Sequence, residues 1–395
     1  MRINSAVIHA KKQKTKYSYG VINEPIFRSS TFVFDSVEQG GRRYAGKEVG
    51  YVYTRNGNPT LRYLEERLAY IEGSEDCLCT SSGMGAITST IWGLLKKGDH
   101  ILADTDLYGS TFLLFTKVLS RLGVTSTLVD FNNLQLVKKS LKPNTVMVYF
   151  ETPCNPTIKV NDIKAIATIA HNYNKNIRVV LDNTFASPYL QHPLQLGVDI
   201  CIHSLTKYIN GHSDVLAGCV CGNKQDIKII RDEGLRDSTG SVLSPDDAYM
   251  VIRGLKTLAV RMNVICQNAL AIAQYLEKSP YVKKVYYPGL KSHKNHIVAK
   301  KQMEQFGGMI SFETNLSFSQ TKKFVNNLKL VTLAVSLGGV ESLIEHPASM
   351  THILFTKEAL LKSGITPNLI RFSTGIEDVR DLIEDFDQAF KSAKK

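Results

Sequence analysis

The chain of 395 residues has no apolar run of the roughly 18 residues that a membrane helix requires. Its start, MRINSAVIHAKKQKTKYSYG, carries basic residues with no apolar stretch behind them, unlike a secretory signal. A cytoplasmic protein with no membrane partner is expected. There is no C-x2-C loop, and the seven cysteines are odd in number and follow no framework spacing, so reduced thiols are expected. Two C-x-C pairs, Cys77/Cys79 and Cys219/Cys221, lack a nearby histidine to complete a zinc set. Spacing of two puts each pair on one face of a strand, and no metal is expected. The net charge of +12 comes without a stripe of Lys and Arg interleaved with aromatics, which argues against a nucleic-acid partner. The densest basic run, AKKQKTK at 10–16, reads as a solvated arm. Internal repeats, low-complexity segments and long flexible linkers are also missing.

What is present is 43% apolar residues in a chain too long for one ordinary core, so a large domain with a smaller partner is expected. Between about 60 and 225, short β-branched runs alternate with amphipathic stretches: HILADTD, TSTLVDF, TVMVYFET, RVVLDNTF, VDICIHS and VLAGCVC. Near-continuous apolar runs of this kind predict an α/β fold, a mostly parallel sheet buried on both faces by helices. NPTLRYLEERLAYIEG opens with Asn58 as cap and Pro59 at the first helical position, and sets Leu61, Leu64, Leu68 and Ile71 on one face. After about 255 the texture changes. The helical RMNVICQNALAIAQYLEK leads to separated strands and helices, among them GGMISFET, VTLAVSLGG and LIRFSTG. In the final helix Val379, Leu382, Ile383, Phe386 and Phe390 fall at helical spacing. The expected divisions are 1–57, 58–255 and 256–395, the last a smaller α+β domain.

In open α/β sheets ligands sit beyond the carboxyl ends of the strands. RVVLD ends on Asp182, and an acid closing an apolar strand is costly unless it meets a cation. VDICIHS runs into Ser204, Thr206 and Lys207, and YFETPCNPT supplies Asn155 in a proline-braced turn. CTSSGMGAIT is a small-residue turn opening a helix, whose free N–H groups suit a phosphate. Taken singly, Asp182 reads as a helix cap, Lys207 as surface and 81–85 as a tight turn. Taken together, a phosphate cradle, a buried acid and a lysine are what pyridoxal phosphate requires: an imine to lysine, a carboxylate on the ring nitrogen and donors for the phosphate. GMGAIT also loosely imitates a dinucleotide fingerprint, with Asp104 downstream, which gives an NAD-dependent dehydrogenase as a remote alternative, but Thr88 stands where the third Gly or Ala belongs.

Over nearly its whole length the chain resembles the Cys/Met-metabolism family of pyridoxal-phosphate enzymes. The stretches that carry the likeness are GYVYTRNGNPT, SSGMGAIT, DLYGST, ETPCNPT, DNTFASP, HSLTKYINGHSD, SLGGVESLIEHPASMTH and IRFSTGIED. The resemblance implies a fold-type I architecture and pyridoxal 5'-phosphate held on Lys207, with Asp182 keeping the ring nitrogen protonated. It further implies that Ser204, Thr206 and the backbone of Gly83 and Met84 take the phosphate, that Tyr108 stacks on the ring and that Asn155 lies near the phenolic oxygen. Tyr53 and Arg55, in the arm 1–57, would reach the phosphate of a neighbouring subunit, so a homodimer with shared sites, paired into a tetramer, is expected. Arg371, helped by Ser336, would clamp the carboxylate of a small sulfur amino acid.

Within that family, GYVYTRNGNPT, FDSVEQGGRRYA, GLRDSTG and AVSLGG with Val335 resemble the methionine γ-lyase branch. The expected reaction is γ-elimination of L-methionine to methanethiol, 2-oxobutanoate and ammonia, with Tyr108 as acid to the leaving sulfur. Cystathionine γ-lyase, β-lyase and γ-synthase are the alternatives. Ser110 stands where that branch carries Cys, Arg236 where it carries Lys, and Gly339-Val340 resembles the cystathionine enzymes.

Overall fold

The computed structural model describes residues 1–10, 20–351, 353 and 364–394. Positions 11–16 of the basic run and His352 lie outside them. Seven strands form the larger sheet: β1 (Asp76–Thr80), β2 (His100–Asp104), β3 (Thr125–Val129), β4 (Thr145–Glu151), β5 (Arg178–Asp182), β6 (Ile200–Ser204) and β7 (Gly218–Gly222). Their order is β1-β7-β6-β5-β4-β2-β3, and β7 alone runs against its neighbours. The reason lies in its connection. Only residues 205–217 separate β6 from β7, without the helical crossover that a parallel return needs.

Alternation within the strands covers both faces. Tyr149, Val180 and Ile202 share one core with Ala86, Ile87 and Ile91 of helix Gly83–Leu94. Val148, Phe150, Val179 and Leu181 share another with Ile163, Ile166 and Ala170 of helix Ile163–Tyr173. Helix Pro59–Glu72 forms as its sequence predicts: the Asn58 side chain accepts from the Thr60 N–H, and Leu61, Leu64, Leu68 and Ile71 are buried. Against it packs helix Ile3–His9 through Ala6 and Val7, and Arg67 Nε donates to the Ala10 carbonyl at 3.1 Å.

A smaller five-stranded sheet follows, made of β8 (Val282–Tyr286), β9 (Met309–Thr314), β10 (Thr332–Leu333), β11 (Leu343–Glu345) and β12 (Leu369–Ser373) in the order β10-β11-β12-β9-β8. Leu382, Phe386 and Phe390 of the closing helix Val379–Lys394 pack on its inner face with Phe312, Phe324 and Phe372. Helix Leu258–Lys278 joins the two halves: Leu258, Met262 and Ile265 enter the core beside the large sheet, while Ala269, Ile272 and Leu276 enter the small-sheet core. Among the described residues no helix is long and apolar enough to cross a membrane.

Candidate active site

The strand ends and the small sheet converge on Lys207. It sits in the turn after β6, where its N–H donates to the Ser204 carbonyl at 3.2 Å. Its Nζ lies 2.6 Å from Ser336 Oγ. Burial, reinforced by the nearby Arg371 guanidinium, lowers the Lys207 amine to about 8, against a smaller opposing pull from Glu345. Near neutral pH a useful fraction of this amine is therefore an uncharged nucleophile.

Ser336 is held in position by its neighbours. Its φ of +86° is uncommon for a residue with a side chain, the kind of strain that a surrounding structure must impose. Here the loop is pinned at Gly338, whose N–H donates to Ser373 Oγ at 2.9 Å and where a Cβ would stand 2.7 Å from the Tyr208 nitrogen. The Ser336 carbonyl accepts from Arg371 Nη2 at 2.8 Å, and Arg371 Nη1 donates to Asn155 Oδ1 at 2.9 Å. Arg371 belongs to β12, and its register partner on β11 is Glu345. Glu345 Oε1 lies 3.1 Å from Nη1 in a pair only 7% and 1% exposed. The sequence reading missed Glu345, although an acid inside the apolar LIEHP is a signal of the kind used for Asp182.

Asp182 closes β5, opposite Glu151 at the end of β4. Two carboxylates side by side in a buried place cannot both ionise easily, and both are raised, by burial first and, for Glu151, by the neighbouring Asp182 charge next. Asp182 Oδ1 accepts the Thr184 N–H at 3.0 Å, and Glu151 Oε1 the Tyr108 N–H at 2.6 Å. Glu151 was a second omission; like Asp182 it ends an apolar strand. Among the described residues no salt bridge reaches Asp182.

The turn before helix Gly83–Leu94 lies hard against β6 and β7. A Cβ on Gly83 would stand 2.9 Å from Ser204 Cβ, and one on Gly218 would stand 2.2 Å from the Ser82 carbonyl oxygen, so only glycine permits the approach. Ser82 Oγ takes the Gly85 N–H, while the N–H groups of Gly83 and Met84 head the helix, where intrahelical partners run out. Ser204 donates its N–H to Thr184 Oγ1, and Thr206 Oγ1 is engaged with the Ala217 backbone. Thr88 Oγ1 turns back to the Met84 carbonyl within its own helix.

Tyr108 opens the short helix Gly109–Leu113 and is 47% exposed, with Ser110 half-buried beside it and Val335, 54% exposed, next to Ser336. Tyr53 and Arg55 stand apart. They stack on each other at the surface, guanidinium carbon 5.3 Å from the ring centre, and none of their described contacts joins them to Lys207.

These residues fit pyridoxal phosphate. Lys207 supplies a partly neutral amine, the Gly83–Met84 turn an anion cradle at a helix N-terminus, and Asp182 a half-buried carboxylate, raised by burial and eased only in part by the His203 charge, which a protonated ring nitrogen would balance. The neutral fraction of Lys207 grows as pH rises through about 8. Cofactor-free protein is therefore expected to take up pyridoxal phosphate faster across that point, and Glu345→Gln to move the midpoint lower. A yellow absorbance that develops at the same rate on both sides of pH 8 would remove Lys207 ionisation as the control.

The family model for Cys/Met metabolism PLP-dependent enzymes matches residues 4–391. An L-methionine gamma-lyase of Fusobacterium nucleatum subsp. polymorphum is 52% identical over 389 residues, 98% of each chain. A cystathionine beta-lyase of Lactococcus lactis subsp. cremoris is 47% identical over 98% of this chain and 99% of its own. The crystal structure of cystathionine gamma-lyase from Lactobacillus plantarum, complexed with L-serine, superposes with a TM-score of 0.92 at 39% identity, covering 100% of both chains. The match across nearly all of the chain, on the fold and strand-end geometry described above, makes this protein a member of the Cys/Met-metabolism family of pyridoxal-phosphate-dependent enzymes.

Proposed function

We propose that the protein is a carbon–sulfur lyase that converts L-methionine and water to methanethiol, 2-oxobutanoate and ammonia. The observation that carries the reading is the site's outer wall. Val335 stands beside Ser336, which touches the Lys207 amine, and offers a methyl-bearing surface where a substrate with a distal ammonium would need an acid. The likeness to L-methionine gamma-lyases supports it.

Arg371 receives the substrate carboxylate, its guanidinium plane fixed by Asn155 and the Ser336 carbonyl. Glu345 keeps this buried cation paired before substrate arrives. Pyridoxal phosphate, when bound, supplies the sink for electrons released at the substrate's carbon atoms. The N–H groups of Gly83 and Met84 with Ser204 and Thr206 would hold its phosphate, and Tyr108 would hold its ring. Lys207 Nζ takes the proton from Cα, hands it on and, neutral again, takes a second from Cβ; Ser336 Oγ steers it. The Tyr108 hydroxyl protonates the departing sulfur. Water then releases the keto acid and ammonia.

Ser110 tunes the preference. A polarisable thiol packs better than a hydroxyl against a thioether, so Ser110→Cys is expected to raise methionine turnover over cystathionine turnover by roughly five- to tenfold. Product assays with methionine, cystathionine, homocysteine and cysteine test both statements. No methanethiol from methionine in either form, with brisk cleavage of cystathionine, would make a cystathionine lyase the function; Gly339 and Val340 already lean that way.

The chain divides into an arm, 1–57, a cofactor domain, 58–255, and a small domain, 256–395, and works in the cytoplasm as a dimer of shared sites that pairs into a tetramer. Residues 3–10 pack on their own chain, so the reach belongs to 20–57, where Ile22, Val33, Val37 and Val49 are exposed and suit cover by a second copy. Tyr53 and Arg55 extend from this segment to the neighbour's phosphate. Arg55→Ala and Lys207→Ala chains, each nearly inactive alone, are therefore expected to regain activity when mixed under subunit exchange. Demonstrated exchange without recovery would place Arg55 in its own chain's site.

A further inference from the structure

Five of the seven cysteines share one face of three adjacent strands: Cys77 and Cys79 on β1, Cys219 and Cys221 on β7, and Cys201 on β6. Register sets Cys77 against Cys221, Cys79 against Cys219 and Cys201 against Cys221. The Sγ atoms of Cys77, Cys219 and Cys221 all lie within 4.8 Å of one another, and none of these residues is more than 1% exposed. A metal–sulfur bond of about 2.3 Å sets the sulfurs of a trigonal or tetrahedral site roughly 4 Å apart. The three thiols thus stand within about 1 Å of ligand spacing without a change of fold. Spacing along the chain held no sign of this, because the two C-x-C pairs meet only through antiparallel pairing of strands far apart in sequence.

A second group within 4.8 Å, Glu72, Cys201 and His203, is already occupied with itself. His203 Nε2 lies 3.0 Å from Glu72 Oε2 and 3.4 Å from Cys201 Sγ. That is a hydrogen-bonded pair beside a thiol, with mixed donors that select no soft ion. The all-sulfur group differs. Its three thiols offer a single soft donor type, and their protons would leave as a cation enters. Arg231 Nη2 donates to the Cys77 carbonyl at 2.8 Å, and its charge is taken up by Glu65 at 3.0 Å.

We propose that Cys77, Cys219 and Cys221 bind one thiophilic cation, Zn2+ or Cu+, as a structural site that pins edge strand β1 to β7. Thiolates select these ions over harder ones, and three protons leave as the cation enters. The ion loads as the chain folds, before helix Pro59–Glu72 closes over the sulfurs. β1 runs directly into the turn at 81–85, so the site braces that turn from below. It is independent of any role assigned to Lys207.

The holoenzyme, refolded under reducing conditions with Zn2+ or with Cu+, is desalted and its metal counted per chain. About one equivalent is expected, with a higher Tm than protein refolded metal-free; which ion is retained from a mixture identifies the resident. Cys219→Ala and Cys221→Ala should each lose at least about nine-tenths of the metal, and Cys266→Ala, a buried thiol elsewhere, should keep it. Less than a tenth of an equivalent in the wild type, or full retention in the Cys219 and Cys221 variants, overturns the site and leaves the thiols as packing. The wild-type count decides even where a variant does not fold.

Discussion

Lys207→Ala is expected to abolish the yellow colour of the holoenzyme and to lower turnover by at least about a thousandfold, because one amine is proposed both to anchor the cofactor and to carry protons from Cα and Cβ. The fold should survive. Burial lowers the folded-state amine to about 8 from its ordinary 10.5, so below pH 8 a charged Lys207 costs the folded state stability, and that cost fades only as pH rises from about 8 towards 10.5. Alanine removes the cost, leaving Ser336 Oγ without one partner but Arg371 still held by Asn155 and the Ser336 carbonyl. Cofactor-free variant at neutral pH should therefore unfold no earlier than cofactor-free wild type. Near-normal activity in a preparation free of wild-type chains would end the assignment of Lys207.

Asp182→Asn should separate function from stability in opposite directions. Asp182 is proposed to face the ring nitrogen; without its charge a protonated ring would lose electrostatic support, and a loss of about 10²- to 10³-fold in kcat is expected. The amide can still accept the Thr184 N–H, so the strand end keeps its geometry. Its neighbour Glu151 gains: with one of two facing buried carboxylates neutral, the repulsion that helps raise Glu151 disappears. Cofactor-free Asp182→Asn should thus unfold at a higher temperature than cofactor-free wild type, the stability cost of a working site made visible. Thermal unfolding of both proteins and steady-state kinetics decide it; an unchanged kcat would remove Asp182 from the ring nitrogen.

Much of the architecture was legible because it rests on local rules. Asn58 and Pro59 start a helix by capping chemistry wherever they stand, and runs such as RVVLD and VDICIHS can satisfy two buried faces only as central strands. Acids and lysines at the ends of such strands declare a site because burial without a partner is costly. That logic picked out Asp182 and Lys207 as candidates, and applied evenly it reaches Glu151. Glu345 was harder, since its partner Arg371 lies 26 positions on and meets it only through the register of β11 with β12.

The sequence by itself determined the class of fold, the strand-end residues and, through eight ordered motifs, the family and its cofactor. Only the tertiary structure decided that β7 runs against the sheet, because that depends on the length of one connection rather than on strand composition. It also decided that Ser336, 129 positions from Lys207, lies 2.6 Å from its amine. The five thiols of three strands likewise share one face only in the folded sheet. Each of these is a juxtaposition of distant segments, set by register and by packing of one sheet on another, and side-chain periodicity along a chain carries no information about which strand will be its neighbour.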